Sequence, residues 1–336
     1  MAVDRQKILI TGANGFLGSK LCLYLAGKGY NVLAAVRKGA KVESLKSGNV
    51  KVVYSDYKDD LNVYIDESDI IIHAAALLSG SFESRRDDFY RANVLFTEDL
   101  LQKAAENRKL EKFIFISSVG IYGVTGKNCA AEDCPAGKNL SDYEWSKLET
   151  EKKCLEFGQK GMPVVILRLS QLYGPGMKYG WPKVFGEIKE NKFYLIGRGQ
   201  GTIQPLYIDD AVSGIEAAVV SRLQTGEIFN LAGKEIITLG QFFSEAAELM
   251  GVRKIGRLPY RLVYALAWFL KLIPAWLKTE KLNLLTPHNI SFFSEKRCYN
   301  ITKAKVKLNF NPLIDIKEGL KRTVKWYQAS YSKNEK

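Results

Sequence analysis

Hydrophobic positions in the first 170 residues form short apolar runs that alternate with segments of helical spacing. Six runs predict buried strands, at 7–11, 32–36, 50–54, 69–73, 112–116 and 164–167. Strands that are apolar throughout and alternate with helices are typical of a parallel sheet covered on both faces. We therefore predict an α/β fold, a Rossmann-type doubly wound parallel sheet with a smaller, mixed C-terminal lobe.

The alternation ends near residue 175, where glycine-rich segments begin. Beyond it, 238–250 and 315–327 are helix candidates, and 262–277 is strongly apolar and aromatic. A length of 336 residues predicts roughly two domains. A composition of 46% hydrophobic and 25% charged residues excludes a disordered or collagen-like chain.

The cysteines and histidines indicate neither disulfides nor a metal. Five scattered cysteines predict no disulfide framework and a reducing compartment, with Cys129 and Cys134 as unreactive thiols. His73 and His288 lie away from that cysteine pair, so no metal site is expected. The N-terminus has no apolar leader, and no run of 18 apolar residues occurs. Neither a secretory signal nor a spanning helix is therefore expected.

The positive charge is concentrated at the C-terminal end. Residues 251–336 hold 18 Lys and Arg against 5 Asp and Glu, a difference of +13, which equals the net charge of the chain. Such an excess favours an anionic partner. For the apolar part of 258–281 one reading is a lid or core helix, and the other is peripheral contact with an anionic membrane. No nucleic-acid motif accompanies the charge, so nucleic acid is not expected.

Three glycines, Gly12, Gly15 and Gly18, lie between the first strand and the first helix. Glycines there let the backbone approach a diphosphate at the positive end of the helix, although a tight turn without ligand has the same pattern. The second strand ends in Arg37 and Lys38 rather than an acid. We therefore predict NADP(H) as the preferred cofactor, with NAD(H) as the alternative.

Tyr143 and Lys147 are one helical turn apart. An ammonium group there would lower the pKa of the phenol and suit it to acid–base work on an alcohol–carbonyl couple. The same spacing between a tyrosine and a lysine occurs at four other places, so the position in the fold selects this pair. Tyr143 follows the fifth strand, which ends in Ser117 and Ser118 at the ligand-binding edge. A serine hydroxyl there could hold the reacting oxygen.

The chain resembles the extended short-chain dehydrogenase/reductase family, which includes NAD-dependent epimerases and dehydratases, 3β-hydroxysteroid dehydrogenases and dihydroflavonol reductases. The matching segments are TGANGFLG (11–18), HAAA (73–76), YRANVLFTEDLL (90–101), FIFISSVGIYG (113–123), YEWSK (143–147), LRLSQLYGPG (167–176), YIDDAV (207–212) and EIFNLAG (227–233). The resemblance implies a catalytic trio of Ser118, Tyr143 and Lys147, because Ser118 rather than its neighbour has the family's spacing to the tyrosine.

Motifs and resemblance together assign further residues. Asp56 either accepts from the adenine amino group or caps a turn, and Gln171 is a candidate substrate contact beside Ser118 and Tyr143. The residues assigned to the dinucleotide are Gly12, Asn14, Gly15, Phe16, Leu17, Gly18, Arg37, Lys38, Asp56, Ala74, Ala75, Asn93, Tyr143, Lys147 and Leu169. The resemblance places a nucleotide-binding domain at 1–175 plus about 207–235, and a substrate lobe at 176–206 plus 236–336.

Departures from the family's motifs narrow the function. Val119 and Gly120 stand where dehydratases carry an acidic pair, and Ile203 stands where many sugar-nucleotide enzymes carry a phosphate-binding arginine. We therefore predict an NAD(P)-dependent oxidoreductase acting on a secondary alcohol or ketone of a small molecule, lipid-like or a sugar. The alternatives are a nucleotide-sugar epimerase with tightly held NAD and a non-catalytic dinucleotide sensor.

The protein is expected to be cytoplasmic, or peripheral at the inner membrane face. A homodimer through 93–107 and 143–157 is a further expectation.

Overall fold

The fold is built on one central parallel sheet. The computed structural model describes residues 6–45, 49–55, 61–78, 85–126, 128–177, 180–270, 272–273 and 285–331. The seven strands of the sheet are β1 (Lys7–Thr11), β2 (Asn31–Val36), β3 (Val50–Tyr54), β4 (Ile70–His73), β5 (Lys112–Ser118), β6 (Val164–Leu169) and β11 (Glu227–Leu231). They lie in the order β11-β6-β5-β4-β1-β2-β3, and every pairing is parallel.

Helices cover both faces of this sheet and build the second lobe. The α-helices are α1 (Phe16–Gly27), α2 (Asn62–Asp66), α3 (Arg86–Phe89), α4 (Phe96–Glu106), α5 (Asp142–Gln159), α6 (Trp181–Lys189), α7 (Ile208–Val220), α8 (Leu239–Leu249), α9 (Tyr260–Leu270), α10 (Pro287–Ser291), α11 (Thr302–Leu308) and α12 (Ile316–Tyr331). Six short strands form three separate pairs: β7 (Leu172–Tyr173) with β10 (Leu206–Tyr207), β8 (Tyr194–Ile196) with β13 (Gly256–Leu258), and β9 (Thr202–Ile203) with β12 (Ile237–Thr238).

Alternate residues of the central strands enter two different cores. On β1, Ile8 and Ile10 join the core that contains α1 and α7, whereas Leu9 joins the core that contains α4 and part of α5. Both faces of the sheet are therefore buried, which is why the strands are apolar throughout rather than alternating. The predicted α/β Rossmann-type fold and its six strands are confirmed, and β11 adds a seventh strand beside β6.

A separate core fills the C-terminal region. It brings together Phe185 of α6, Leu195 of β8, Phe242 of α8 and Leu320 of α12. By contrast α11 packs against α7 and β11, and its Leu308 belongs to the core of the sheet. The domain boundaries at 175, 207 and 235 stay a prediction.

One disulfide corrects the expectation from the cysteine pattern. The sulfur atoms of Cys129 and Cys298 lie 2.34 Å apart, although 169 residues separate the two positions along the chain. The prediction that Cys129 is an unreactive thiol was wrong. The pairing arises because the loop after β5 is hydrogen-bonded to the chain before α11, for instance from Ala130 N to Cys298 O. Cys134 is a free, exposed thiol.

Helix α9 departs from the usual placement of apolar side chains. Val263, Ala267 and Leu270 are buried, whereas the large side chains of Leu262 and Trp268 are 69% and 60% exposed. Residues 271 and 274–284 of the apolar segment lie outside the described residues. None of the helices described is at once long and apolar enough to cross a bilayer.

Candidate active site

The glycine turn after β1 is a cradle that side chains would fill. A Cβ on Gly12 would lie 2.7 Å from the backbone of Ala75, and one on Gly18 would lie 2.2 Å from Gly12 O. Gly12 also has a φ of 70°, a left-handed conformation that favours glycine. Gly15 precedes α1 as its N-cap, so the first amide groups of the helix face the turn. These residues fit the diphosphate of a dinucleotide.

Asn93 ties the chain after β4 to α5. Its amide group donates to Leu77 O at 3.1 Å and to Ser146 Oγ at 2.9 Å, and its Oδ1 accepts from Leu77 N at 2.7 Å. Asn93 lies in a π-helical stretch, 90–95, between α3 and α4, and such stretches are frequent at functional sites. Asn93 is buried and fixes the segment that carries Ala74 and Ala75 relative to the helix of Tyr143.

The two serines that end β5 face different surroundings. Ser117 is buried, and its hydroxyl donates to Glu151 Oε1 at 2.5 Å. Ser118 is half-buried, and its Oγ accepts from Gly120 N at 3.0 Å. Side chains alternate along a strand, so the two serines lie on opposite faces of the sheet. Of the pair, Ser118 has the more exposed side chain.

Lys147 is buried on α5 beneath the end of β5. Its Nζ donates to Ile116 O at 2.8 Å and lies 4.7 Å from the centroid of the Phe115 ring. Burial lowers the pKa of Lys147 to about 8, although the nearby Cys154 and Glu151 act in the opposite direction. The charged form of Lys147 is therefore less favoured than that of an exposed lysine.

The pKa of Tyr143 differs from the expectation. Burial raises the pKa of the phenol, and the neighbouring carboxylate of Glu144 raises it further. The spacing to Lys147 had predicted a lower pKa, and for this structure that prediction was wrong. The physical reason is that burial disfavours the charged phenolate. The phenol is thus held in its protonated form.

A buried polar network lies behind the trio, and the sequence analysis missed it. Glu151 accepts from Arg168 Nη2 at 2.7 Å and from its Nε at 3.0 Å, and both side chains are buried. Arg168 Nη1 donates to Tyr122 Oη at 2.6 Å, which in turn donates to Asn230 Oδ1 at 2.8 Å. Two signals were available: Glu151 repeats the four-residue spacing after Lys147, and Arg168 is a cation in an otherwise apolar strand.

His73 is a structural residue of the sheet. Its ring nitrogens are hydrogen-bonded to Thr11 Oγ1 at 2.7 Å and Thr97 Oγ1 at 2.8 Å. Burial, together with the charge of Lys147, lowers the pKa of His73 to about 3. The ring is therefore neutral and joins β1 to α4.

The remaining predicted cofactor residues lie around the carboxyl edge of the sheet, where ligands bind in such folds. Arg37 and Lys38 follow β2 directly and are exposed, and Leu169 is buried at the end of β6. Asn14, Phe16 and Leu17 belong to the turn and first turn of α1. Asp56 lies outside the described residues. Its two alternative roles therefore stay open.

Two polar atoms near the end of β6 and before α11 have no hydrogen-bond partner although they are buried. They are Gln171 Oε1, on the residue predicted to contact substrate, and Arg297 Nη1, which the sequence analysis did not single out. Asn62 Oδ1, in α2, is a third such atom among the described residues. Buried unpaired donors and acceptors are rare in native structures and call for an explanation.

Comparison with known proteins places this site in a family context. The model of the NAD dependent epimerase/dehydratase family matches residues 8–232. The chain is 25% identical to UDP-N-acetyl-alpha-D-glucosaminuronate decarboxylase of Bacillus cytotoxicus over 96% of this chain and 98% of that protein. It is 27% identical to sterol-4-alpha-carboxylate 3-dehydrogenase, decarboxylating, of Dictyostelium discoideum over 94% of this chain and 99% of that protein.

Solved structures share the fold along nearly the whole chain. UDP-glucuronic acid 4-epimerase from Bacillus cereus, in complex with UDP-glucuronic acid and NAD, superposes with a TM-score of 0.79 and 25% identity, covering 97% of this chain and 100% of that one. That epimerase holds a dinucleotide and a nucleotide sugar. The likeness extends through the C-terminal region as well as the sheet.

Proposed function

Because this chain belongs to the NAD dependent epimerase/dehydratase family, we propose that it is an NADP(H)-preferring oxidoreductase with Ser118, Tyr143 and Lys147 as its catalytic residues. The observation that supports this proposal most directly is their arrangement: the half-buried hydroxyl of Ser118 ends β5, and Lys147 is bonded to the same strand. Tyr143 begins the helix that carries Lys147.

The predicted membership of the extended short-chain dehydrogenase/reductase family is confirmed. The coarse functional prediction is confirmed with it: the protein is an NAD(P)-dependent enzyme of a family that acts on CH–OH groups. The family contains both reductases and nucleotide-sugar epimerases, so the epimerase alternative is compatible with the same membership.

Each residue of the trio has its own task in the proposed reaction. The bound nicotinamide supplies or takes up the hydride. Ser118 donates its hydroxyl to the substrate oxygen, and Tyr143 transfers the proton of that oxygen. When a dinucleotide is bound, Lys147 would hold the nicotinamide ribose and would then stabilise the phenolate that forms when the proton leaves.

The cofactor preference depends on the residues after β2. Arg37 and Lys38 are exposed there, and their positive charges suit a ribose 2′-phosphate. We propose that replacing Arg37 with Asp shifts the preference from NADP(H) towards NAD(H). Isothermal titration of both dinucleotides measures this shift, and equal ratios of the two Kd values in the native protein and the variant would refute the NADP(H) assignment.

The epimerase and the oxidoreductase differ in whether the cofactor leaves the protein between turnovers. Native mass spectrometry of the purified protein identifies the dinucleotide and any ligand that remain bound. An oxidoreductase exchanges its cofactor, so absorbance at the nicotinamide wavelength changes stoichiometrically with substrate. A protein that retains NAD through many turnovers and interconverts two sugar stereoisomers without net absorbance change would be the epimerase. If the protein catalyses neither reaction, the remaining alternative is a non-catalytic dinucleotide sensor.

We also propose that α9 rests on an anionic membrane, which would deliver a lipid-like substrate. Leu262, Trp268 and Phe269 are each at least 60% exposed. The stretch 251–279 contains no acidic residue but six basic ones, and Arg257 before the helix and Arg261 in its first turn are exposed. Helices that lie at a membrane interface place aromatic rings among the lipid headgroups and bind anionic lipids through basic side chains. A lid that closed only on protein would not need the cations.

Vesicle co-sedimentation tests the membrane contact. The protein is expected to pellet with vesicles of phosphatidylcholine and phosphatidylglycerol, and less with phosphatidylcholine alone or at high salt. A double variant, Trp268→Ala with Phe269→Ala, is expected to stay in the supernatant. The matched control replaces Val306 and Leu313, which are 78% and 75% exposed elsewhere, with alanine. Equal sedimentation of both double variants would exclude α9 as the contact.

The location of the protein in the cell and its oligomeric state are two further proposals. We propose a cytoplasmic protein at the inner membrane face that forms a homodimer through α4 and α5. Tyr90 and Leu95, at the start of this helix pair, are 38% and 43% exposed and offer apolar surface for a second copy. Light scattering after gel filtration gives the mass directly, and a monomer at micromolar concentration would refute the dimer.

A further inference from the structure

The disulfide between Cys129 and Cys298 lies where a small thiol can attack it. Cys129 is an exposed residue, whereas Cys298 is only 7% exposed, so the bond is approached from the side of Cys129. The three other cysteines are free thiols: Cys22 and Cys154 are buried, and Cys134 is exposed. Disulfides in a reducing compartment are usually transient and redox-sensing, and exposed ones belong to the labile class.

This disulfide fastens the connection between β5 and α5, described over 119–126 and 128–141, to the chain before α11. Ala130 N donates to Cys298 O at 3.0 Å, and Asn300 N donates to Ala130 O at 2.8 Å, so backbone hydrogen bonds join the same two segments. The connection starts directly after the proposed catalytic serine and ends at the N-cap of the helix that carries the proposed catalytic tyrosine. Its covalent attachment therefore restrains the backbone between two residues of the trio.

The side chain of Asn230 is bonded to both of the segments that the disulfide joins. Its Nδ2 donates to Ala130 O at 3.1 Å and to Asn300 O at 3.2 Å, and its Oδ1 accepts from Tyr122 Oη at 2.8 Å. Asn230 is fully buried, so an acceptor that moved away would leave a buried N–H without a partner, at a cost in free energy. The placement of Asn230 therefore depends on the two segments staying together.

From Tyr122 the hydrogen bonds continue to α5. Arg168 Nη1 donates to Tyr122 Oη at 2.6 Å, and Arg168 forms the buried ion pair with Glu151. Glu151 lies one helical turn after Lys147 and accepts from the hydroxyl of Ser117 at the end of β5. An unbroken series of bonds thus runs from the disulfide to both elements that carry the trio. The bistable element in this series is the disulfide itself, which is either formed or reduced.

We propose that the disulfide is a reversible redox switch of the active site. When it is formed, the connection between β5 and α5 is held as described, with Ser118 and Tyr143 at fixed places. When it is reduced, the connection becomes more mobile and the two catalytic side chains lose their alignment. The inference rests on the proposed catalytic trio and the proposed cytoplasmic location, and it assigns a regulation to that same site.

Glutathione is the probe for the small thiol in this reaction. The first glutathione thiolate attacks Cys129 Sγ, the S–S bond breaks, and Cys298 leaves as a thiolate that takes up a proton. A second glutathione thiolate then attacks the sulfur of the bound glutathione and releases the Cys129 thiolate, which is protonated in turn. The two protein sulfurs are reduced, and two glutathione molecules are oxidised to one glutathione disulfide. The reverse reaction with glutathione disulfide restores the bond.

Hydrogen–deuterium exchange followed by mass spectrometry tests the switch without a substrate. The protein is equilibrated in glutathione buffers from fully oxidised to fully reduced, and alkylation of the free thiols gives the state of the disulfide at each ratio. We expect both states to be populated within this range. Amides of 119–126 and 142–150 are expected to exchange at least about 10-fold faster in the reduced protein, whereas those of β2 stay unchanged. Return to the oxidised buffer is expected to restore slow exchange.

Three cysteine variants make the comparison specific. Cys129→Ser, at the exposed partner, is expected to exchange in every buffer like the reduced native protein. Cys298→Ser is expected to do the same. The matched control is Cys134→Ser, which removes an exposed thiol outside the disulfide and is expected to keep the full response to glutathione.

Several results overturn the switch. A disulfide that stays formed at every glutathione ratio is a purely structural one, and one that never forms cannot regulate. Equal exchange of 119–126 and 142–150 in the two states contradicts the coupling, as does faster exchange throughout the sheet, β2 included, or loss of the response in Cys134→Ser. Calorimetric titration of the dinucleotide in both states is independent of these results. Absence of dinucleotide binding in either state refutes the oxidoreductase proposal, whereas intact binding without a redox response refutes the switch alone.

Discussion

Helices α5 and α9 place their side chains in opposite ways. On α5 the polar residues Ser146, Lys147 and Glu151 are at most 3% exposed, whereas on α9 the apolar residues Leu262 and Trp268 are 69% and 60% exposed. The buried polar groups of α5 each have a hydrogen-bond partner within the chain. The exposed groups of α9 can be buried only by something outside the described residues. Departure from the hydrophobic pattern therefore supports the two proposals, internal chemistry on α5 and contact with an external surface on α9.

The largest expected effect lies at the start of α5. Tyr143→Phe removes the proton donor and leaves the ring packed against Phe89. We expect kcat to fall about 10²- to 10⁴-fold with the dinucleotide affinity unchanged, because general acid catalysis contributes on this order. Steady-state kinetics and titration measure the two quantities. Tyr194→Phe, at an exposed tyrosine of β8, is the control, and equal kcat values for the two variants would remove Tyr143 from the chemistry.

A second prediction concerns the buried ion pair behind the site. Glu151→Gln leaves the Arg168 guanidinium in a buried place without its counter-charge. We expect the free energy of unfolding to fall by about 3–5 kcal/mol, as is typical when one partner of a buried pair is removed. Denaturant unfolding measures the change. The control, Glu149→Gln, breaks the exposed pair with Lys152 and should cost at most about 1 kcal/mol. A similar loss of unfolding free energy for both variants would show that burial does not increase the cost of breaking the ion pair.

The third prediction uses pH. Burial lowers the pKa of Lys147 from its ordinary value of 10.5 to about 8 in the folded protein. The unfolded state therefore binds more protons between these values, and stability rises with pH across this window. Relative to Lys147→Met, the free energy of unfolding of the native protein should increase by about 1 kcal/mol between pH 8 and 9. Parallel curves for the two proteins would mean that Lys147 is not destabilised as a cation.

The smallest effect is expected on α9. Trp268→Ala should change the free energy of unfolding by less than about 0.5 kcal/mol, because the side chain is already in contact with solvent. Phe242→Ala, at a fully buried ring of α8, should cost about 3–5 kcal/mol. Thermal and denaturant unfolding give both values. A large loss at Trp268 would place this side chain in a protein core and argue against an interfacial role.

The hydrophobic pattern by itself determined the sheet. Residues 70–72 of β4 are all apolar, which is typical of a strand buried on both faces, so neither the pairing order nor the lobe was needed to find it. The glycine turn was equally readable, because Gly12, Gly15 and Gly18 directly follow the first apolar run. These features are encoded locally, in neighbouring residues.

Only the tertiary structure decided what depends on distant partners. Cys129 pairs with Cys298 because a loop after β5 lies along the chain before α11, and no spacing in the sequence reports this contact. The direction of the Tyr143 pKa shift followed from burial rather than from its neighbour Lys147. The unpaired nitrogen of Arg297 likewise emerges only when every surrounding acceptor is known. The electrostatic environment, the burial and the hydrogen-bond partners of a side chain depend on all the atoms around it in space. Hydrophobic periodicity, by contrast, can be read along the chain alone.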